Sequence, residues 1–142
     1  MADSTEDTAR QSFPRAAGCL PEIFRFMDAY FERAGIAEPV RAPMQFVVEE
    51  WFTNLVKYSR GGKRDILLEL KREGSRLAIS LTDFDVERFD IRTAPDVDVN
   101  RDLRDRKPGG LGIHLVKRMV DDIGYEYVDG RSTTTFVKSL ER

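Results

Sequence analysis

The chain has 142 residues, 41% apolar and 34% charged, with a formal net charge of -2. That is the size of one globular domain able to bury about two-thirds of its unfolded surface, without the positive field that a general nucleic-acid binder needs to displace counterions from phosphates. No apolar run approaches the ~20 residues of a membrane span, and MADSTEDTARQ lacks the basic-then-apolar order of a signal peptide, so the expected location is the cytoplasm, with no membrane or direct nucleic-acid partner.

Cys19 is the single cysteine, which excludes an internal disulfide and a cysteine metal cluster. Next to Leu20, its thiol is expected to be buried. His114 is the single histidine, which argues against zinc and for a helix surface or pocket rim.

In chain order, residues 1–9 are polar and read as a flexible N-terminus to a single domain over 10–142. Gln11 to Phe13 reads as a short strand before Pro14. Leu20, Ile23, Phe24, Met27, Tyr30 and Phe31 recur at spacings of three and four, which predicts an amphipathic helix ending near Gly35. A second helix is expected from Val40 to Ser59, stopped by Arg60, Gly61 and Gly62. The period then becomes two: Asp65 to Lys71 and Arg76 to Thr82 alternate apolar and polar residues, joined at Glu73-Gly74 as a hairpin.

Regularity fails over residues 84–109, an Asp- and Arg-rich stretch that reads as a functional lid or a disordered insert. Leu111, Leu115, Val116, Met119, Val120 and Ile123 predict a third helix broken by Gly124. Tyr125 to Val128 and Thr134 to Leu140 predict a last pair of strands around Asp129-Gly130. The implied fold is α+β, a two-layer sandwich with a mixed, mostly antiparallel sheet and about three helices on one face.

Three features can carry chemistry. On the second helix, Met44, Val48, Trp51, Leu55 and Tyr58 share one line, and Glu50 and Asn54 lie together on its shoulder with Glu49 on the opposite one. A carboxylate and an amide oxygen on that stripe could hold a hard cation or orient a nucleophile; spacing alone equally fits a solvated helix flank. The second feature is KPGGLGIHL, in which Gly109, Gly110 and Gly112 lead into a helix after several Arg and Lys. Such a turn can offer backbone amides to phosphate, or serve as a plain hinge. It lacks the GK[ST] ending of a Walker loop and does not follow a strand as a Rossmann loop does. The third is Asp83, a carboxylate at a strand end, commonplace in turns.

In this order the features resemble the histidine-kinase-like ATPase superfamily, and within it the small serine-kinase anti-sigma factors of bacterial partner-switching systems, over about residues 10–140. EEWFTNLVKYS resembles the N box of that group, KPGGLGIHLVKRMVDDIGYE its glycine box, and STTTF its closing Thr-rich strand. The resemblance implies an ATP- and magnesium-dependent protein serine kinase that binds a sigma factor and phosphorylates an antagonist domain, with homodimerisation through the sheet edge and first helix. It implies Glu50 as general base, Asn54 as magnesium ligand, Asp83 as acceptor for the adenine amino group, Gly109, Gly110, Leu111 and Gly112 along the triphosphate, and Thr134 on the adenine side, within one residue of register. Two positions depart from the pattern. Asp85 stands where the family usually has Gly and is expected to weaken nucleotide approach, and Tyr58 stands where a His commonly follows the N-box Asn. Asp85 motivates the alternative expectation, a binding module of the same fold without catalysis.

Overall fold

The computed structural model describes residues 6–93 and 110–141, the side chains of residues 6, 7, 110 and 111 excepted. Its elements run β1 (Glu6–Phe13), α1 (Leu20–Ala34), α2 (Glu38–Tyr58), β2 (Ile66–Glu73), β3 (Arg76–Asp83), α3 (Gly110–Met119), β4 (Asp122–Val128) and β5 (Arg131–Ser139), with single 3-10 turns at Ala17–Cys19 and Ile91–Thr93. The strands form one sheet in the order β1-β2-β3-β5-β4. Every pairing among the described residues is antiparallel, so the parallel component expected in a mixed sheet is absent. The reason is topological: the chain passes from β3 by way of α3 to the outer strand β4, and β5 folds back as a hairpin between them.

Period-two alternation aims Ile66, Leu68 and Leu70 of β2, Leu77, Ile79 and Leu81 of β3 and Phe136 of β5 at the helices. They meet Ile23, Met27, Tyr30 and Phe31 of α1, Met44, Val48, Trp51 and Phe52 of α2, and Ile113 and Val116 of α3, all buried. Each such side chain contributes about 1.5–3 kcal/mol of transfer free energy. Tyr30 and Phe31, apolar residues on the helix expected to dimerise, are taken up by this core. Cys19 is buried as anticipated; its thiol donates to the Pro14 carbonyl at 3.3 Å, and burial pushes its pKa up.

The helix limits follow from local chemistry. Gly35 caps α1 at φ +69°, a conformation only glycine adopts without strain. α2 starts two residues earlier than Val40, because Pro39 fits the first turn, where a missing N–H costs nothing. No described helix is long and apolar enough to cross a membrane.

Three elements depart from the sequence reading. β1 begins at Glu6 rather than Gln11, so part of the expected flexible N-terminus is strand. It is an edge strand, paired from Glu6↔Glu73 to Phe13↔Ile66, with only Ala9 and Phe13 turned well into the structure, and hence needs no apolar alternation. α3 ends at Met119, and Ile123 belongs to β4. Its spacing from Met119 continues the helical period, yet it sits opposite Phe136 in the ladder, and Asp121 N–H donates to the Val137 carbonyl at 2.9 Å. Finally, the region expected to be lid from residue 84 is packed chain as far as Thr93. Val86 and Ile91 are buried, and the Phe89 ring stacks on Trp51 with centroids 5.1 Å apart. The rest of the expected lid, 94–109, lies outside the described residues.

Candidate functional site

α2 runs between α1 and α3, so its shoulder as well as its apolar line is covered. Asn54 is consequently buried, at 5% exposure, and its Nδ2 donates to the Glu50 carbonyl one turn back at 2.7 Å. That bond fixes the amide plane and leaves Oδ1 as the outward acceptor. Glu49 is exposed and Glu50 half-buried. Burial is the main cause that raises the Glu50 carboxyl pKa; the neighbouring Glu49 charge adds to it and Lys57 opposes it.

The Glu50 carboxylate lies against Gly112. A Cβ added at Gly112 would overlap that carboxylate, so two motifs 62 positions apart in sequence meet because one of them ends in hydrogen. Gly110 and Leu111 open α3 at this place, where the first turn of a helix presents N–H groups without intrahelical partners. Gly109 lies outside the described residues.

Asp83 closes β3 with no exposure at all. Its Oδ1 accepts from the Arg15 guanidinium and from the Phe84 N–H at 3.0 Å, and its Oδ2 is buried without a hydrogen-bond partner. Buried carboxylate oxygens are nearly always satisfied, so an orphaned one at the end of a strand marks a place for a donor from outside the chain.

Thr134 shares the helix-facing side of β5 with Phe136 and is 1% exposed, between Leu81 of β3 and Tyr125 of β4. Thr133 and Thr135 face the other way, their hydroxyls 3.1 Å from Thr82 and 2.8 Å from Ser80. Of the three threonines, Thr134 is therefore the one on the side of the sheet that carries Asp83.

Sequence reasoning missed a second group of residues. Ser132 lies opposite Asp83 in the ladder and is buried, with its Oγ 2.8 Å from the Tyr125 hydroxyl. That hydroxyl also accepts the Phe89 N–H at 3.0 Å. Tyr127 donates to the Val86 carbonyl at 2.6 Å, and Val86 N–H reaches the Gly130 carbonyl at 3.0 Å. These bonds tie the segment after Asp83 to the β4–β5 hairpin. The Arg15–Asp83 pair was missed too: nothing in the sequence links a loop arginine to an acid 68 positions away.

Asp85 has an unusual backbone conformation. Its φ is +57°, the left-handed conformation that favours glycine and that Asp tolerates better than most residues. Its side chain is 68% exposed, 3.4 Å from Arg64, and so turned to solvent. The side-chain atoms of Asp85 therefore project outward from this backbone. Asp85→Gly is therefore expected to change nucleotide affinity less than about threefold by calorimetry and stability by under about 1 kcal/mol in urea.

The donor set suits magnesium and ATP. Among the described residues no group of three His, Cys, Asp or Glu could cage an ion. Magnesium needs none, since it commonly keeps its waters and takes one or two protein oxygens together with substrate phosphates. Asn54 Oδ1 can supply one, the opening turn of α3 can meet phosphate, and Asp83 Oδ2 awaits a donor. A separate cleft of about 490 Å³, lined by Arg10, Gln11, Ser12, Arg64, Asp65, Leu67 and Phe84, includes none of these residues.

A long helix thus carries an acid and an amide, the opening of α3 is seated on that acid, and an aspartate is buried at the end of β3. Residues 13–138 match the family model of the histidine kinase-like ATPase domain, and the chain belongs to that family. Within the family it is similar to the serine-protein kinase RsbW of Listeria monocytogenes, 30% identical over 106 residues that make up 70% of this chain and 67% of the relative. The serine-protein kinase RsbW of Listeria innocua is 29% identical over the same shares.

Two solved structures share the fold. The RsbU and RsbW domains of a Mycobacterium tuberculosis protein superpose with a TM-score of 0.67 at 12% identity, over 96% of this chain and 33% of that one. The histidine kinase domain of a blue-light activated histidine kinase from Erythrobacter litoralis gives 0.51 at 13% identity, over 99% of this chain and 66% of that one.

Proposed function

We propose that the chain is an ATP- and magnesium-dependent protein serine kinase that also binds a sigma factor, its substrate being a serine on an antagonist domain. The observation that carries this reading is the contact of the half-buried Glu50 carboxylate with Gly112, beside Asn54. Its support from relatives is the similarity to proteins named serine-protein kinase.

Phosphoryl transfer asks mainly for positioning and for neutralisation of phosphate charge. Asn54 Oδ1 would hold a magnesium ion, which would supply that neutralisation when bound. In this reading Gly110, Leu111 and Gly112 at the opening of α3, with Gly109 before them in sequence, would meet the triphosphate through backbone amides, while Asp83 Oδ2 would accept a hydrogen bond from the adenine amino group and Thr134 would line the adenine side. Glu50 takes the proton of the attacking serine hydroxyl: burial makes its carboxylate a stronger base than an exposed one, and Gly112 leaves room for it at the phosphate end of the pocket. Competition between sigma factor and antagonist for this one protein gives partner switching, and homodimerisation belongs to the same scheme.

The test is transfer of label from γ-labelled ATP to the cognate antagonist with magnesium, alongside pull-downs from the native cell with and without ATP. Labelled antagonist and an ATP-dependent change of partner are expected. A complete lack of transfer, with ATP bound normally, would overturn the kinase reading in favour of a binding module.

A further inference from the structure

We infer that Arg15 sets which nucleobase the pocket accepts, by fixing Asp83 as a carboxylate that can only accept hydrogen bonds. The inference rests on the nucleotide-pocket reading above and assigns a role to a residue outside all the motifs that suggested it.

Arg15 follows β1 and reaches across two elements. Its guanidinium donates to Asp83 Oδ1 and, through Nη2, to the Leu55 carbonyl near the end of α2 at 2.9 Å. It is held closely: its side chain is 12% exposed, and a Cβ on Gly62 would overlap it. Asp83 has no exposure, and its second neighbour, the Phe84 N–H, also donates to Oδ1. Both donors thus converge on one oxygen, and Oδ2 is left over, buried and unpartnered. Because Oδ2 is enclosed, a base reaches it only once neighbouring side chains give way.

The polarity of that oxygen is what distinguishes bases. A carboxylate taken wholly out of water stays charged only beside a cation. Paired with Arg15 it is acceptor-only, and Oδ2 matches the exocyclic amino group at C6 of adenine. Without the cation, the buried group is satisfied by carrying a proton, and the same oxygen becomes a donor. A donor there matches the C6 carbonyl of guanine or hypoxanthine. Arg15 is accordingly a positioning residue that acts on specificity through Asp83, without touching the nucleotide.

The test compares MgATP with MgITP, which has a carbonyl where adenine has its amino group, by titration calorimetry of the full chain. The parent is expected to prefer ATP by about ten- to a hundredfold, the range set by one mismatched buried hydrogen bond. Arg15→Gln keeps a donor for the Leu55 carbonyl and removes the charge; it is expected to lower the ATP:ITP ratio by about tenfold or more. Arg15→Lys keeps the charge and should stay within about threefold of the parent ratio.

A parent that binds neither nucleotide sinks the pocket reading itself, and this inference with it. A parent that binds both equally, an Arg15→Gln variant that keeps the full preference, or an Arg15→Lys variant that loses it would each overturn the role of Arg15 and leave the pocket standing. The ratio separates this role from a merely structural one, since loosened packing weakens both nucleotides alike. Either variant alone decides the question if the other does not fold.

Discussion

Glu50→Gln should reduce serine phosphorylation by about 10²–10⁴-fold, the usual contribution of a positioned general base, with the folded protein no less stable than the parent at neutral pH. The two halves of the result have one cause. Burial, chiefly, and the adjacent Glu49 disfavour the charged carboxyl of Glu50 in the folded chain, against the attraction of Lys57. Its folded pKa is thus above its unfolded one, so the stabilisation linked to it is complete below the unfolded value and is lost as pH rises through the folded value. Once ionised, Glu50 is a charge the fold would be better without, and a neutral amide of the same shape removes that burden. Transfer in the parent should rise with pH through the same raised pKa, because the base must be unprotonated. The Gln variant should lose that rising limb while keeping ATP affinity within a few-fold. A variant that melts lower and still transfers phosphate at the parent rate would mean that the carboxylate is structural.

The gap between what the sequence displayed and what the structure holds has a physical pattern. Elements built from apolar periodicity were readable: α1 with its Gly35 cap, the β2–β3 hairpin, and the inward faces of both strands. β1 was readable only at its end, Gln11 to Phe13, because most of this edge strand is exposed and EDTARQSF has little to alternate. The start of β4 was hidden by coincidence, since Ile123 continues the helical spacing of α3 while belonging to the ladder.

The site divides in the same way. Alternation from Phe136 already places Thr134 on the helix side. The shoulder position of Glu50 and Asn54 was visible from helical angles, whereas the burial of Asn54 was not: it depends on α3, an element more than fifty residues further along the chain. Contacts between single residues far apart, Arg15 with Asp83 or Glu50 with Gly112, leave no periodic trace at all. The conformation of Asp85 was not legible either, because residue type does not reveal backbone: at φ +57° its side chain projects outward.

Gly112→Ala should cost catalysis nearly as much as the loss of Glu50 itself, about a hundredfold or more, without unfolding the protein. An alanine Cβ at this position would overlap both the Oε2 and the carboxyl carbon of Glu50. What must give way is the end of a flexible side chain rather than backbone, so the clash is relieved by swinging the carboxylate to another rotamer. Alanine also improves a helix interior over glycine by up to about 1 kcal/mol, which offsets the repacking. Stability is therefore expected to stay within about 1 kcal/mol of the parent in urea titrations. The carboxylate, however, moves by more than an ångström, and displacement of that size is enough for about a 10²-fold loss. A cycle with Glu50→Gln discriminates the cause. If Gly112 acts through Glu50, the double variant is no slower than Glu50→Gln alone, whereas independent roles would make the two losses multiply.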